Sequence, residues 1–371
     1  MKTKYTRCIQ RFLKSIGYRH EAFPPYDAQC WGTFHDWMLN VLGPALTSSW
    51  NKFNDKQLVE LEHLEIKLLY AKLTAIVTLI DDSMEDERMY RDIVQFSDRV
   101  YRGETQENAV LALYHESLKT LSGLHKEGSV LRGLAVGPWM DHIDACLMEK
   151  ELLVLERKRS EADGAELMKY SREDSLASKL RVFGWLPHYL RYKSAVSEAY
   201  AACIFKANKE QNLPLTKYMK AIPDIVFFIE VANDILSFLK EELAAEKYNL
   251  IHLRTRSIAA SGSMCMSGSG PGGTWTPYDT LRLLCDELRD ATRRVDGLLR
   301  LEECERKIEL QGESGLTLND IDDVDVTIAM QWRGWRDGYI SWHLECRRYK
   351  LGRLKDVVVA EQEGEKSRRV F

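Results

Sequence analysis

The chain has 371 residues, 45% hydrophobic and 29% charged, with a formal net charge of -4. That balance excludes an intrinsically disordered chain and leaves room for a large buried core. A slightly acidic total gives no electrostatic footprint for nucleic acid, and no window approaches the ~20 uninterrupted apolar residues of a membrane span.

Eight cysteines lie scattered at positions 8, 30, 146, 203, 265, 285, 304 and 346, without a CxxC pair and without a secretory signal. This pattern predicts reduced thiols in a cytoplasmic protein and argues against a zinc site.

The first twenty residues are basic, with no acid before Glu21, as in a transit peptide. Serine is not enriched there, however, and Ile9, Phe12, Leu13 and Ile16 recur at helical spacing, which predicts a first helix. Residues 56 to 80 form one long apolar-faced pattern without Pro or Gly. Helical periodicity returns over about 106–122, 129–155, 192–209, 216–243, 277–311 and 324–350, with Pro223 near the first turns of the fourth of these. Alternating strand-like runs are nearly absent, so the fold class is all-α. The Gly/Ser-rich run "SGSMCMSGSGPGGTW" predicts a flexible loop near 257–276. The helices on either side resemble each other in length and pattern, so we read the loop as lying within a single domain spanning 1–371. The end of the chain, from about 361, reads as a frayed tail.

Three stretches carry candidate chemistry. "LIDDSMEDER", residues 79–88, follows an apolar run and pairs Asp81 with Glu85 and Asp82 with Asp86 at i, i+4. Acidic runs of this kind commonly serve only as solvated helix ends, and the glycine and spacing of a calcium EF-hand are missing. Further on, Asn233, Ser237 and Glu241 follow i, i+4, i+8 spacing, so one helix face carries an amide oxygen, a hydroxyl and a carboxylate in a row. These are hard oxygen ligands of the kind Mg²⁺ takes. They interrupt apolar sequence and are expected to face inward, where polar groups need a partner. Finally, Trp332, Trp335, Tyr339, Trp342, Cys346 and Tyr349 form an aromatic stripe ending beside Arg347 and Arg348. Such a stripe is either ordinary core packing with a basic helix end or a wall of electron-rich rings able to stabilise a carbocation, with Arg348 and Tyr349 holding phosphate oxygens.

Taken in order, "DDSMED", "NDILSFLKE" and "GYISWHLECRRYKL" resemble the motifs of class I terpene cyclases, most closely the trichodiene synthase family of fungal sesquiterpene cyclases. The likeness extends weakly from the N-terminal "TRCIQRFLKSIGYR" to about residue 351. It implies a single helical bundle around a central cavity, and Mg²⁺-dependent cyclisation of farnesyl diphosphate with three ions bound alongside diphosphate. It also implies roles for individual residues. Asp81 would bind Mg²⁺ directly, supported by Asp82 and Glu85, while Asn233, Ser237 and Glu241 would chelate a further Mg²⁺. Lys240, Arg348 and Tyr349 would hold diphosphate. A further arginine some forty residues upstream of the second motif would sense it, with Arg191 nearest that separation and Arg172 and Arg181 the other candidates. Phe227, Phe228, Trp335, Tyr339 and Trp342 would line the pocket. Glu85 departs from the closest relatives' pattern, keeping the charge on a longer side chain.

Two other readings stay open at this level. One is a different prenyl diphosphate enzyme, a prenyltransferase or a cyclase of a C10 or C20 substrate. The second motif is of the Asn/Ser/Glu kind instead of a second aspartate-rich run, which favours cyclisation. The other is a helical module that binds a terpenoid without catalysis. The expected partner is a small molecule, with neither nucleic acid nor membrane; a homodimer is compatible with the sequence and not fixed by it.

Overall fold

The computed structural model describes residues 2–20, 28–38, 42, 64–166, 186–206, 213–246, 249–261, 268–270, 273–313 and 321–369. All regular secondary structure among them is helical. The first helix, α1 (Lys2–Ser15), exists as its periodicity predicts. Tyr5, Ile9, Phe12 and Leu13 are buried, and the Tyr5 hydroxyl donates to the Ile235 carbonyl at 2.9 Å. This residue-scale anchor makes the N-terminal segment part of the core.

Helices α2 (Ala28–Trp37), α3 (Leu64–Asp82), α4 (Glu87–Arg102), α5 (Ala109–Gly123) and α6 (Val130–Glu166) follow. The long pattern expected from residue 56 is helical from Leu64; its first residues lie outside the described ones. The pattern over 192–209 is not one helix. It is divided between α7 (Leu186–Ser194) and α8 (Ser197–Ile204), and Val196 at the join has φ 54. A β-branched residue in the left-handed region costs about 1–2 kcal/mol, which no periodicity signals. Beyond it come α9 (Leu215–Tyr218), α10 (Ile222–Leu243) and α11 (Leu250–Ser261). Pro223 occupies the first turn of α10, where its missing N–H has no intrahelical partner to lose.

Two expectations are corrected at this point. Residues 257–261 belong to α11 and not to the Gly/Ser-rich loop. The tail expected to fray from about 361 is helical, as α15 (Gly352–Arg369). Its Ala, Glu, Gln and Lys content favours helix, and Leu354 and Val358 are buried against the core. The pattern over 277–311 divides into α12 (Pro277–Leu298) and α13 (Leu301–Glu313), with Arg300 at φ 53 between them. Helix α14 (Asp323–Glu345) carries the aromatic stripe and passes into a 3₁₀ turn, Arg347–Tyr349.

Among the described residues the helices build two large cores and a small cluster of Leu301, Cys304, Ile321 and Ala329. One joins α1, α10, α12 and α14, with Phe228, Leu288 and Trp332 fully buried. The other joins α3 to α6 and α8, around Phe96, Tyr114 and Trp139. Burying each such apolar side chain contributes about 1.5–3 kcal/mol. Tyr200 of α8 packs against both cores.

Candidate active site

Between the two cores lies a cavity of about 310 Å³. Asp81 reaches it from the end of α3, Arg191 from α7, and Asn233, Ser237, Lys240 and Glu241 from α10. Trp335, Tyr339 and Trp342 of α14 line it too, together with Arg348 and Tyr349 of the 3₁₀ turn. Asp81 and Arg348 are exposed and mark the solvent end of the cavity, while Trp335, Tyr349 and the charged Glu241 are buried within it. Helical spacing accounts for the oxygen row: Asn233, Ser237 and Glu241 fall on one face of α10, and the apolar residues between them pack into the first core.

The electrostatics of the row fit a cation. Burial raises the Glu241 carboxyl above the usual carboxylate range, and a hydrogen bond from Ser237 opposes the rise. The other acid oxygen, Glu241 Oε2, is buried with no hydrogen-bond partner among the described residues. An orphaned buried carboxylate oxygen is costly unless something positive satisfies it, and an amide–hydroxyl–carboxylate set suits Mg²⁺. The described residues contain no group of three or more His, Cys, Asp or Glu side chains placed to hold a metal. A site on α10 would therefore combine one carboxylate, Glu241, with the neutral oxygens of Asn233 and Ser237, and Asp81 lines the same cavity.

Arg191 is woven into this row. Its Nε donates to Asp234 Oδ2 at 2.8 Å and its Nη2 to Asn233 Oδ1 at 2.9 Å. Burial works against the guanidinium charge, but the Asp234 carboxylate outweighs it and holds the arginine protonated. The other two arginine candidates, Arg172 and Arg181, lie outside the described residues. Asn233 Nδ2 faces His343 Nε2 at 3.1 Å, and burial pushes the pKa of His343 down to about 3. Burial likewise pushes the Tyr349 hydroxyl up to about 12, against the pull of Arg348.

The acidic run divides by placement. Asp81 lines the cavity. The Asp82 carboxyl is raised by burial and by Asp81, while Arg348 and Lys240 oppose the rise, and Asp82 is not among the cavity-lining residues. Glu85 turns away: it lies 3.5 Å from Lys150, its side chain is 67% exposed, and it is not among the cavity-lining residues. Asp86 caps α4 by accepting from the backbone N–H groups of Arg88 and Met89. Glu149 of α6 adds an acid that the sequence reading did not single out, its carboxyl raised to about 7 by burial and by Asp81.

Of the aromatic residues expected in the wall, Trp335 and Tyr339 stack with centroids 4.9 Å apart and planes at 21°. Trp342 joins them. Phe228 and Phe227 are corrected. Phe228 is fully buried behind the wall, edge-on to Trp332 at 5.4 Å. Phe227, one residue away and so turned by about 100°, lines a separate cavity beside Arg254 and Glu287. Thr74, Thr78, Tyr200 and Val196 line the cavity but are not marked in the sequence. Thr74 and Thr78 could have been found, since they precede Asp81 at i−7 and i−3 on one helix face. No signal marks Val196.

No protein-family model matches the chain. Its sequence is nonetheless similar to those of fungal terpene synthases. It is 29% identical over 286 residues to terpene synthase BipA of Cochliobolus sativus, spanning 77% of this chain and 69% of that protein. It is 28% identical over 347 residues to longiborneol synthase CLM1 of Gibberella zeae, spanning 92% and 78%. A shorter match, 39% over 111 residues, relates 30% of this chain to 28% of monoterpene synthase 25 of Postia placenta. Among solved structures, the linalool/nerolidol synthase of Streptomyces clavuligerus aligns with 86% of this chain and 96% of its own at 14% identity and a TM-score of 0.45, too distant a likeness to carry weight by itself. None of these relatives bears the trichodiene synthase name, so that narrower assignment rests on the motif resemblance alone.

Proposed function

We propose that the protein is a class I terpene cyclase that ionises farnesyl diphosphate and cyclises it to a C15 product, releasing diphosphate. The observation that carries the reading is one cavity bordered by an acid on α3, an oxygen row on α10, the basic groups Arg191, Lys240 and Arg348, and aromatic rings. The similarity to fungal terpene synthases supports it.

Asp81 on one side, and Asn233, Ser237 and Glu241 on the other, would hold Mg²⁺, which when bound supplies Lewis-acid charge to the leaving group. Arg191, Lys240, Arg348 and the Tyr349 hydroxyl offer donors to the diphosphate oxygens, Arg as a planar fork and Lys as a point charge. Within the cavity, Trp335, Tyr339 and Trp342 present ring faces to the allylic cation, each worth about 0.5–2 kcal/mol. Their apolar surface also excludes the water that would quench it. The cavity volume of about 310 Å³ is at the lower end of the roughly 300–1,000 Å³ of ligand pockets, which favours a C10 or C15 chain over C20. The single carboxylate in the α10 row disfavours a prenyltransferase built on two aspartate-rich motifs.

The test is incubation of the purified chain with geranyl, farnesyl and geranylgeranyl diphosphates, with and without Mg²⁺, and product identification by gas chromatography and mass spectrometry. A cyclic C15 hydrocarbon or alcohol from farnesyl diphosphate, dependent on Mg²⁺, is expected. Asp81→Ala and Asn233→Ala should each lower kcat/KM on the order of 10²- to 10³-fold, the scale of losing a preorganised electrostatic contact to the leaving group. Full activity in the double variant would sink the reading.

A further inference from the structure

An asparagine that serves as an oxygen ligand faces an ambiguity that a carboxylate does not. Its side-chain amide is nearly symmetric in shape, and turned by half a rotation it presents NH₂ hydrogens, which repel a cation. Something must select the orientation of Asn233. On one side stands Arg191 Nη2, a pure donor, 2.9 Å from Oδ1. On the other stands His343 Nε2, 3.1 Å from Nδ2. The His343 Nδ1 atom is 2.8 Å from the Tyr339 carbonyl oxygen, a pure acceptor, so Nδ1 carries the ring hydrogen. In the neutral ring this leaves Nε2 with a lone pair only, and it accepts from the Asn233 NH₂. A Tyr349 hydroxyl also bonds Asn233, but a hydroxyl both donates and accepts and so does not discriminate between the amide's two ends.

From this geometry we infer that His343 is the positioning residue of the α10 oxygen row, holding the Asn233 amide with its oxygen toward the cation side. The inference rests on the proposed function. Under that reading Arg191 binds diphosphate and releases Asn233 Oδ1, and His343 is then the remaining group that discriminates between the two orientations. The ring itself cannot swing. It is fully buried, with Tyr339 and Tyr349 centroids at 4.5 Å and Trp342 at 4.6 Å. His343 touches neither the cation nor the substrate in this role; it acts through Asn233.

The experiment is calorimetric titration of Mg²⁺ into the full-length protein with inorganic diphosphate, for wild type and His343 variants. His343→Leu, which deletes the acceptor, should weaken Mg²⁺ binding about 10- to 100-fold, the usual effect of losing a partner that orients a metal ligand. His343→Gln, whose Oε1 offers an acceptor in place of Nε2, should restore most of that loss. In an Asn233→Asp background either orientation presents an oxygen, so His343→Leu should then cost little. Unchanged Mg²⁺ binding in His343→Leu overturns the inference, as does an equal loss in the Asn233→Asp background, which would mark a merely structural role. Should the leucine variant not fold, ¹⁵N NMR of histidine-labelled wild type decides the matter: the Nδ1–H tautomer supports the inference and the Nε2–H tautomer overturns it. Wild type that takes up no Mg²⁺ with diphosphate removes the proposed function and this inference together, whereas normal wild-type uptake with an insensitive His343 series removes the inference alone.

Discussion

Glu230, one turn before Asn233, shows how a single buried acid couples stability to pH. Its carboxyl is raised from 4.5 to about 7 by burial, with a Ser197 hydrogen bond and Arg191 opposing the rise. Ser197 donates to Glu230 Oε1 at 2.7 Å. Between about 4.5 and 7 the folded state therefore holds a proton that the unfolded state has lost. Stability that is full below the unfolded pKa falls as pH rises through the folded one, on the order of 3 kcal/mol in total. Glu230→Gln keeps an acceptor for Ser197 and removes the titration, so its thermal midpoint should decline less than wild type across this window. Melting curves on either side of the window check this, and parallel profiles for the two proteins would contradict it. At the same scale, the row Asn233, Ser237, Glu241 was legible because helical spacing alone puts three oxygens on one face. Phe227 and Phe228 were not, because neighbouring residues on a helix point about 100° apart and only the packing partners decide which direction is cavity and which is core.

Helix ends obey local chemistry. Thr276 caps α12 by accepting from the Asp279 N–H, and Asp279 returns the bond to the Thr276 N–H, a reciprocal capping box. Thr276→Ala should cost about 1 kcal/mol, read as a lowered denaturation midpoint at unchanged slope; no shift would mean that Asp279 and Pro277 suffice to start the helix. Breaks inside helical patterns are another matter. The stretch 192–209 reads as continuous, yet α7 and α8 part at Val196, which lines the cavity. Nothing in valine's chemistry favours φ 54, so the break is imposed by the helices packed around it and not by the local sequence. The tail from about 361 errs the other way: its charged, polar composition reads as unstructured, and helix propensity, with Gln362 bonded to the backbone of Tyr18 and His20, sustains it.

For the molecule as a whole, two cores face each other across the cavity, and its charged end is built from both. Asp81 is carried by a helix of one core and the α10 row by a helix of the other. A ligand that bridges them stabilises the folded state by mass action, about 2.7 kcal/mol at a hundredfold excess over its dissociation constant. Under the proposed function, Mg²⁺ with inorganic diphosphate should raise the melting temperature well above the effect of either alone, and Asp81→Ala should abolish the excess. Additive shifts from the two ligands would speak against a shared site.

The sequence by itself determined the helical class, the three motif segments and the oxygen row, because those depend on periodicity and residue chemistry within one helix. Only the tertiary structure decided which residues meet. It turned Glu85 to Lys150. It also joined Arg191 to Asn233 across 42 residues and His343 to Asn233 across 110. Such contacts depend on how separate helices pack, and the period of any one helix carries no record of its neighbours.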